Sequence, residues 1–347
     1  MSLSQPDSSP TDLSRGRSSA PGSDRESVSH RSPELALPSA NVDNLKRRAA
    51  LLARTRRFFE ERRYFEVETP VLSRDVCVDV YLDPIAVEGA SGERHFLQTS
   101  PEFAMKRLLA AGAGSIYQIT RAFRDREFGP LHNPEFTIVE WYRVDADANL
   151  LMEEISDLAQ ALLGTAPAER WSYREAFRRT LDLDPFTAGN AQLAEVAQSA
   201  GFHDREAERD DLLDFLLATR VQPELAKHDA ILLHGYPPSQ AALAEVATEG
   251  DVTTALRFEL FVRGIELCNG YQELRDANEL TRRQNEQNEK RIGQKKASLP
   301  TDSRLLRAME IGLPRCSGCA LGFDRLAMLA LGATSIQEVV AFPADRA

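Results

Sequence analysis

Several charged side chains in this sequence stand where a charge needs company. Arg325 falls in the first turn of a helical pattern from Phe323 to Leu331, where the macrodipole disfavours a cation by a few tenths of a kcal/mol. It requires an anion nearby. Gly318 and Gly322, just before it, allow the close backbone approach that phosphate sites need. A second arginine, Arg124, opens a polar loop running to Pro134, and two arginines aimed at one anion form a phosphate clamp. Glu266 and Glu273 offer hard carboxylate oxygens of the kind that hold Mg²⁺ between phosphates. Two arginines, two glutamates and a glycine-rich turn together suggest a nucleoside triphosphate.

Elements must bring these residues together. Leu45 to Tyr64 reads as an amphipathic helix, and Glu93 to Thr99 as a strand. Ser100-Pro101-Glu102 then starts a helix, with Ser100 as cap, Pro101 at its first position and Glu102 in the first turn. Ser115 to Phe123 and Glu135 to Val144 form a long hairpin around the Arg124–Pro134 loop. Leu150 to Leu163 is helical, and residues 171 to 228 are mostly helical and acidic. Ala230 to His234 is a short strand, and Ala255 to Leu267 is one long strand ending at Asn269-Gly270. A charged helix runs from Leu274 to Lys296, and Gly318 to Gly322 opens the last helix. Strands dispersed among helices without a βαβ rhythm place the fold in the α+β class, around an antiparallel sheet.

Alternation along the strands singles out two acids. Glu140 shares a face with Phe136, Ile138 and Tyr142, while Thr137, Val139 and Trp141 make the other face equally apolar. On the expected long strand, Glu266 ends the row Phe258, Leu260, Val262. Buried acids need partners or a task. Cys316-Ser317-Gly318-Cys319 has the spacing of zinc and redox pairs, but no second pair stands at metal spacing and packing is the expected role.

Composition limits the alternatives. The 347 residues carry 42 Lys plus Arg against 53 Asp plus Glu, a net charge of −11, so a broad nucleic-acid footprint is not expected. The longest apolar run, Cys319 to Ala333, is short for a span and contains Asp324 and Arg325. Four cysteines and no cleavable apolar leader point to free thiols and a cytoplasmic location. Residues 1–40 hold twelve Ser and five Pro with no period, which predicts a disordered tail ahead of a domain at 41–347.

These residues also carry a resemblance. Phe65-Glu66-Val67-Glu68-Thr69-Pro70, Phe123-Arg124 through His132-Asn133-Pro134-Glu135-Phe136, and Gly318-Cys319-Ala320-Leu321-Gly322-Phe323-Asp324-Arg325 resemble the three signature motifs of class II aminoacyl-tRNA synthetases. Glu266-Leu267-Cys268-Asn269-Gly270-Tyr271-Gln272-Glu273-Leu274 and Glu140-Trp141-Tyr142 resemble the lysine branch. Three features are similar to the elongation factor P (R)-β-lysine ligase family instead of the synthetases. Only the Ser/Pro-rich tail precedes residue 41, where an anticodon-binding barrel would stand. Tyr236-Pro237-Pro238-Ser239-Gln240-Ala241-Ala242-Leu243-Ala244 replaces an acidic stretch, and Ala320 replaces a glycine.

The resemblance implies a class II synthetase-like sheet, an AMP-forming ligase that uses ATP and Mg²⁺, a homodimer, and (R)-β-lysine and elongation factor P as partners, with no stable tRNA binding. It implies that Arg124 contacts the α-phosphate and Arg325 the γ-phosphate. Asp125, Arg126, Glu127, His132, Asn133 and Phe136 would surround the nucleotide with Leu267 and Gly322, and Glu266 and Glu273 would ligate Mg²⁺. Ser100, Pro101 and Glu102 would hold the substrate's head amino group, and Glu140, Tyr142 and Glu273 its side-chain ammonium. The rival readings are a free-standing lysyl-tRNA synthetase core, against which the missing barrel speaks, and a silent amino-acid-binding paralogue. A silent paralogue should have lost a ligand, yet Arg124, Glu266, Glu273 and Arg325 are all present.

Overall fold

The structure is a computed structural model that describes residues 36–204 and 207–347. Asn41 caps α1 (Val42–Glu61), accepting from the Asn44 N–H at 2.7 Å, and β1 (Phe65–Glu66) follows. β2 (Leu72–Ser73), β3 (Ala86–Glu88) and β4 (Arg94–Leu97) form a small antiparallel sheet in the order β2-β4-β3. Next come α2 (Glu102–Ala110), the hairpin β5 (Ile116–Phe123) and β6 (Glu135–Val144), and α3 (Ala148–Leu163). The acidic stretch folds as β7 (Glu169–Ser172), α4 (Tyr173–Leu181), α5 (Asn190–Ser199), α6 (Arg209–Leu216) and α7 (Gln222–Leu225). β8 (Ala230–Tyr236), β9 (Val246–Glu249), β10 (Val252–Val262) and β11 (Ile265–Gln272) lead to α8 (Ala277–Gly293) and α9 (Arg304–Gly312). β12 (Cys316–Gly322) runs directly into α10 (Phe323–Leu331).

Among the described residues, nine strands form one sheet in the order β1-β5-β6-β12-β11-β10-β8-β7, with β9 beside β10. All its pairs are antiparallel except β1 with β5 and β7 with β8. The expected α+β architecture is therefore present. One face is covered by α1, α3 and α10, where Phe59, Ile155 and Leu326 pack on Val139 and Trp141. The even-numbered face of β6 points the other way, into a cavity. That split is the one alternation gave for Glu140.

Three sequence expectations are corrected. Ala255 to Leu267 is not one strand: Arg263 (φ 51°) and Gly264 (φ 79°) make a two-residue hairpin turn between β10 and β11. Left-handed φ at both positions matches the twist of paired strands, and a Cβ at Gly264 would lie 2.5 Å from that of Ala226. Glu266 therefore does not extend the Phe258–Val262 row; it lies on the next strand, opposite Phe261. Asn269-Gly270 does not end a strand either. β11 continues through it, and Gly270 is required because a Cβ would fall 2.3 Å from the Phe258 ring. Gly318 to Gly322 is likewise no turn but the sheet's central strand β12, paired with β6 and β11.

The expected tail lies, for residues 1–35, outside the described residues. Pro38 onward packs as one unit. Ser39 and Ala40 already belong to it: Ser39 N–H donates to Ala341 O at 2.9 Å and its hydroxyl to Gln337 O at 2.8 Å. No described helix is long and apolar enough to cross a membrane.

Candidate active site

A cavity of about 800 Å³ opens on the β6 face of the sheet. Of the residues expected to bind nucleotide, amino acid or metal, all line it except Pro101, Asp125 and Arg126. Pro101 is buried at the start of α2. Arg126 adopts φ 63° and turns its side chain to solvent, and Asp125 pairs with it at 3.4 Å.

One end of the cavity is a network of buried charges. α2 begins one residue later than the sequence suggests, so Pro101 takes the cap position; the Ser100 hydroxyl still accepts from the Glu102 N–H at 3.1 Å. That hydroxyl donates to Glu140 Oε2 at 2.6 Å, and Tyr142 donates to Glu140 Oε1 at 2.6 Å. One turn along α2, Lys106 is 2% exposed and stands 2.5 Å from both Glu102 Oε1 and Glu273 Oε2. Glu273, just past β11, and Glu140 are each 1% exposed. Gly318 makes room for them, because a Cβ there would lie 2.3 Å from Tyr142 and 2.4 Å from Glu273.

Burial and the neighbouring Glu102 charge push Glu140 up to about 7. Burial, only partly offset by Lys106, raises Glu273 to about 8. The two carboxylates raise Lys106 above its ordinary value in spite of its burial, so it is the charged partner. Three carboxylates against one ammonium leave two negative charges uncompensated when all are ionised. A buried excess of that size calls for cations.

The other end is built from donors. Arg124 follows β5, its guanidinium carbon 4.9 Å from the centre of the Phe136 ring and a nitrogen 3.7 Å from Glu127. Its Nε is buried and donates to nothing. Arg325, in the first turn of α10 as expected, donates to Leu131 O at 3.2 Å and Glu266 O at 3.0 Å, and lies 3.6 Å from Glu266 Oε2. Its remaining nitrogen meets His132 Nε2 at 2.6 Å. Burial and the Arg325 charge lower the His132 pKa, which leaves the ring neutral and accepting. Asn133 is already spent, donating to Glu135 O at the start of β6 and accepting from Ala344 N–H in the C-terminal segment. Glu266 keeps 42% of its side chain exposed to the cavity.

Sequence reasoning missed several groups. Lys106 was legible as the i+4 partner of Glu102. Asp324 is buried, pairs with Arg48 of α1, and accepts from Thr137 N–H at 2.9 Å, tying α10 to β6. Arg257 and Glu259 alternate on β10 and pair across the cavity wall, with Tyr236 donating to Glu259 at 2.6 Å. The four cysteines are free thiols. Cys316 and Cys319, three apart on a strand, face opposite sides of the sheet, which disposes of the Cys-x-x-Cys pair. The described residues contain no group of three or more acidic, His or Cys ligands poised for a metal.

A profile of the family described as tRNA synthetases class II (D, K and N) matches residues 26–346. The chain is 47% identical over 317 residues to the elongation factor P–(R)-β-lysine ligase of Erwinia tasmaniensis, covering 89% of this chain and 97% of the relative. It is 46% identical over 318 residues to proteins of the same name from Salmonella paratyphi B and Salmonella schwarzengrund, covering 89% and 98%. The chain belongs to the class II synthetase family and, within it, to the family of elongation factor P–(R)-β-lysine ligases.

Proposed function

We propose that this protein is an AMP-forming ligase that activates (R)-β-lysine with ATP and transfers it to a lysine side chain of elongation factor P. The observation that carries the reading is the charge count at the buried end of the cavity. Fully ionised, as a bound cation would hold them against their raised pKa values, Glu102, Glu140 and Glu273 exceed Lys106 by two charges, which suits a diamino acid whose carboxylate points away toward the arginines. A monoamine would leave one charge unmatched. Relatives that bear the ligase name support the same reading.

A carboxylate is already nucleophilic, so activation needs alignment with the α-phosphorus and neutralisation of charge, with no general base. Arg124, with its unpartnered Nε, would take the α-phosphate, and Arg325 the γ-phosphate after giving up His132. Phe136 and the His132 loop would flank the adenine. Glu266, open to the cavity, fits one Mg²⁺ ligand, the rest being phosphate oxygens and water. The ion would neutralise phosphate charge and orient the triphosphate. Glu273, spent on Lys106, is assigned to the amino acid instead. Ala320 lies beside Glu140 across the strands and adds a methyl group where α- and β-amino placements differ.

A homodimer completes the reading. Phe65, Val71 and Leu72 are exposed around the edge strand β1, and a second copy would cover that apolar strip. Sedimentation at about twice the chain mass is the expected result.

Pyrophosphate exchange with (R)-β-lysine, (S)-β-lysine, α-lysine and norleucine tests the activation step. Exchange with the diamines, led by (R)-β-lysine, is expected; exchange with norleucine at a comparable rate would defeat the charge argument.

A further inference from the structure

The adenylation reading leaves one arm of the cavity unused. It lies between α6, the Pro238–Gln240 turn, the 77–82 segment and the face of α8 bearing Gln284, Gln287 and Lys290. Two groups in this arm lack the partners their surroundings demand. Asp214, on α6, accepts from Gln240 Nε2 at 2.8 Å, and no described cation lies within ion-pair distance of it. Its neighbours are committed elsewhere. Asp210 accepts from Ser239 at 2.7 Å and faces Lys290 at 3.9 Å. Arg257 is paired with Glu259 and donates to Gln240 O at 2.8 Å, while its buried Nε donates to nothing and it makes no ion pair with Asp214. Burial, with Asp210 and Glu259 nearby, pushes Asp214 up to about 6 despite Arg257.

Gln284 is the independent observation. It is 3% exposed and lines the cavity, yet neither its amide oxygen nor its nitrogen has a hydrogen-bond partner. A buried primary amide in that state is a loss that a bound ligand would recover.

We propose that this arm receives the acceptor, a primary ammonium on an aliphatic stem, with Asp214 pairing the ammonium and Gln284 hydrogen-bonding the entering segment. The proposal rests on the two-step ligase reading above. Asp214 offsets the desolvation of the incoming cation. One proton leaves the ammonium for water, and the neutral nitrogen attacks the adenylate carbonyl. The N–C bond forms, the C–O bond to phosphate breaks, AMP departs with that electron pair, and the second proton leaves the nitrogen for water.

The test separates the nucleophiles. The wild type and Asp214→Asn are loaded with ATP, Mg²⁺ and (R)-β-lysine, then chased either with elongation factor P or with hydroxylamine, an amine uncharged at neutral pH. Asp214→Asn should raise the half-saturating concentration of the lysine-bearing acceptor about tenfold, while hydroxamate formation stays within about twofold. Asp214→Glu should restore part of the loss. Gln284→Met should weaken acceptor use several-fold without lowering the melting temperature, because it removes an unpaired buried amide. Parallel loss toward both nucleophiles, or an unchanged acceptor dependence in Asp214→Asn, would overturn the assignment. A wild type that yields no hydroxamate would instead defeat the ligase reading itself.

Discussion

At one end of the cavity the charges already hold one another. Lys106 bridges Glu102 and Glu273, and Glu140 takes two hydroxyl hydrogen bonds. At the other end the arginines wait: Arg124 has a buried donor with no acceptor, and Arg325 rests on backbone carbonyls and a neutral histidine. On the proposed reading the difference follows from what each end would bind. A compact diamine would be held by fixed carboxylates whose geometry is set in advance, with Lys106 keeping that acid cluster foldable before the diamine arrives. A triphosphate brings charge of its own and needs donors whose alternative partners are weak. Removing a residue at the donor end should therefore damage chemistry, and at the acid end the fold as well.

The sharpest break in that contrast is Arg325→Ala. Adenylate formation should fall roughly 10³-fold, while the melting temperature shifts little, since the lost bonds go to partly exposed carbonyls and a histidine. Unfolding with normal activity per folded molecule would reverse the assignment. Lys106→Met probes the opposite end, where removing one partner of a buried ion pair costs about 3 kcal/mol. Thermal unfolding should begin several degrees lower, and an unchanged melting temperature would mean that the acids do not depend on Lys106.

Acidity gives the next effect. Burial holds the Glu140 carboxyl near 7 in the empty site, and a bound ammonium favours its ionised form, so binding expels a proton below that pH. Glu273, held up to about 8, must ionise as well, so the KM for the amino acid should fall by more than about tenfold between pH 6 and 8 and go on falling above pH 8, and a flat profile would contradict the raised carboxyls. Ala320→Gly should shift the ratio of α- to β-lysine activation about tenfold toward α-lysine. Deleting residues 1–35 should change neither melting temperature nor adenylate formation, whereas deletion through Ala40 removes the Ser39 bonds to the C-terminal segment.

Much of this site was legible because β6 obeys a strict alternation: Phe136, Ile138, Glu140 and Tyr142 read as one face and line one cavity. Arg325 was legible for the same kind of reason, as a cation in a first helical turn. What escaped depended on long-range pairing. Arg263-Gly264 looks like an ordinary pair inside an apolar run, and only the left-handed φ of both residues reveals a hairpin that moves Glu266 to another strand. Gly318 reads as a turn residue but serves as the gap into which Tyr142 and Glu273 fit. No local signal marks Asp324 or Gln284, whose surroundings come from α1, β6 and the far cavity wall.

On the proposed reading the two ends cooperate to place a diamino acid on a protein and not on RNA. Intact mass measurement of elongation factor P after incubation with the enzyme, ATP, Mg²⁺ and either (R)-β-lysine or α-lysine tests it directly, with tRNA charging followed in parallel. A mass gain of one lysyl unit on the protein, faster with (R)-β-lysine, and no charged tRNA are expected. An unmodified protein beside lysylated tRNA would contradict it.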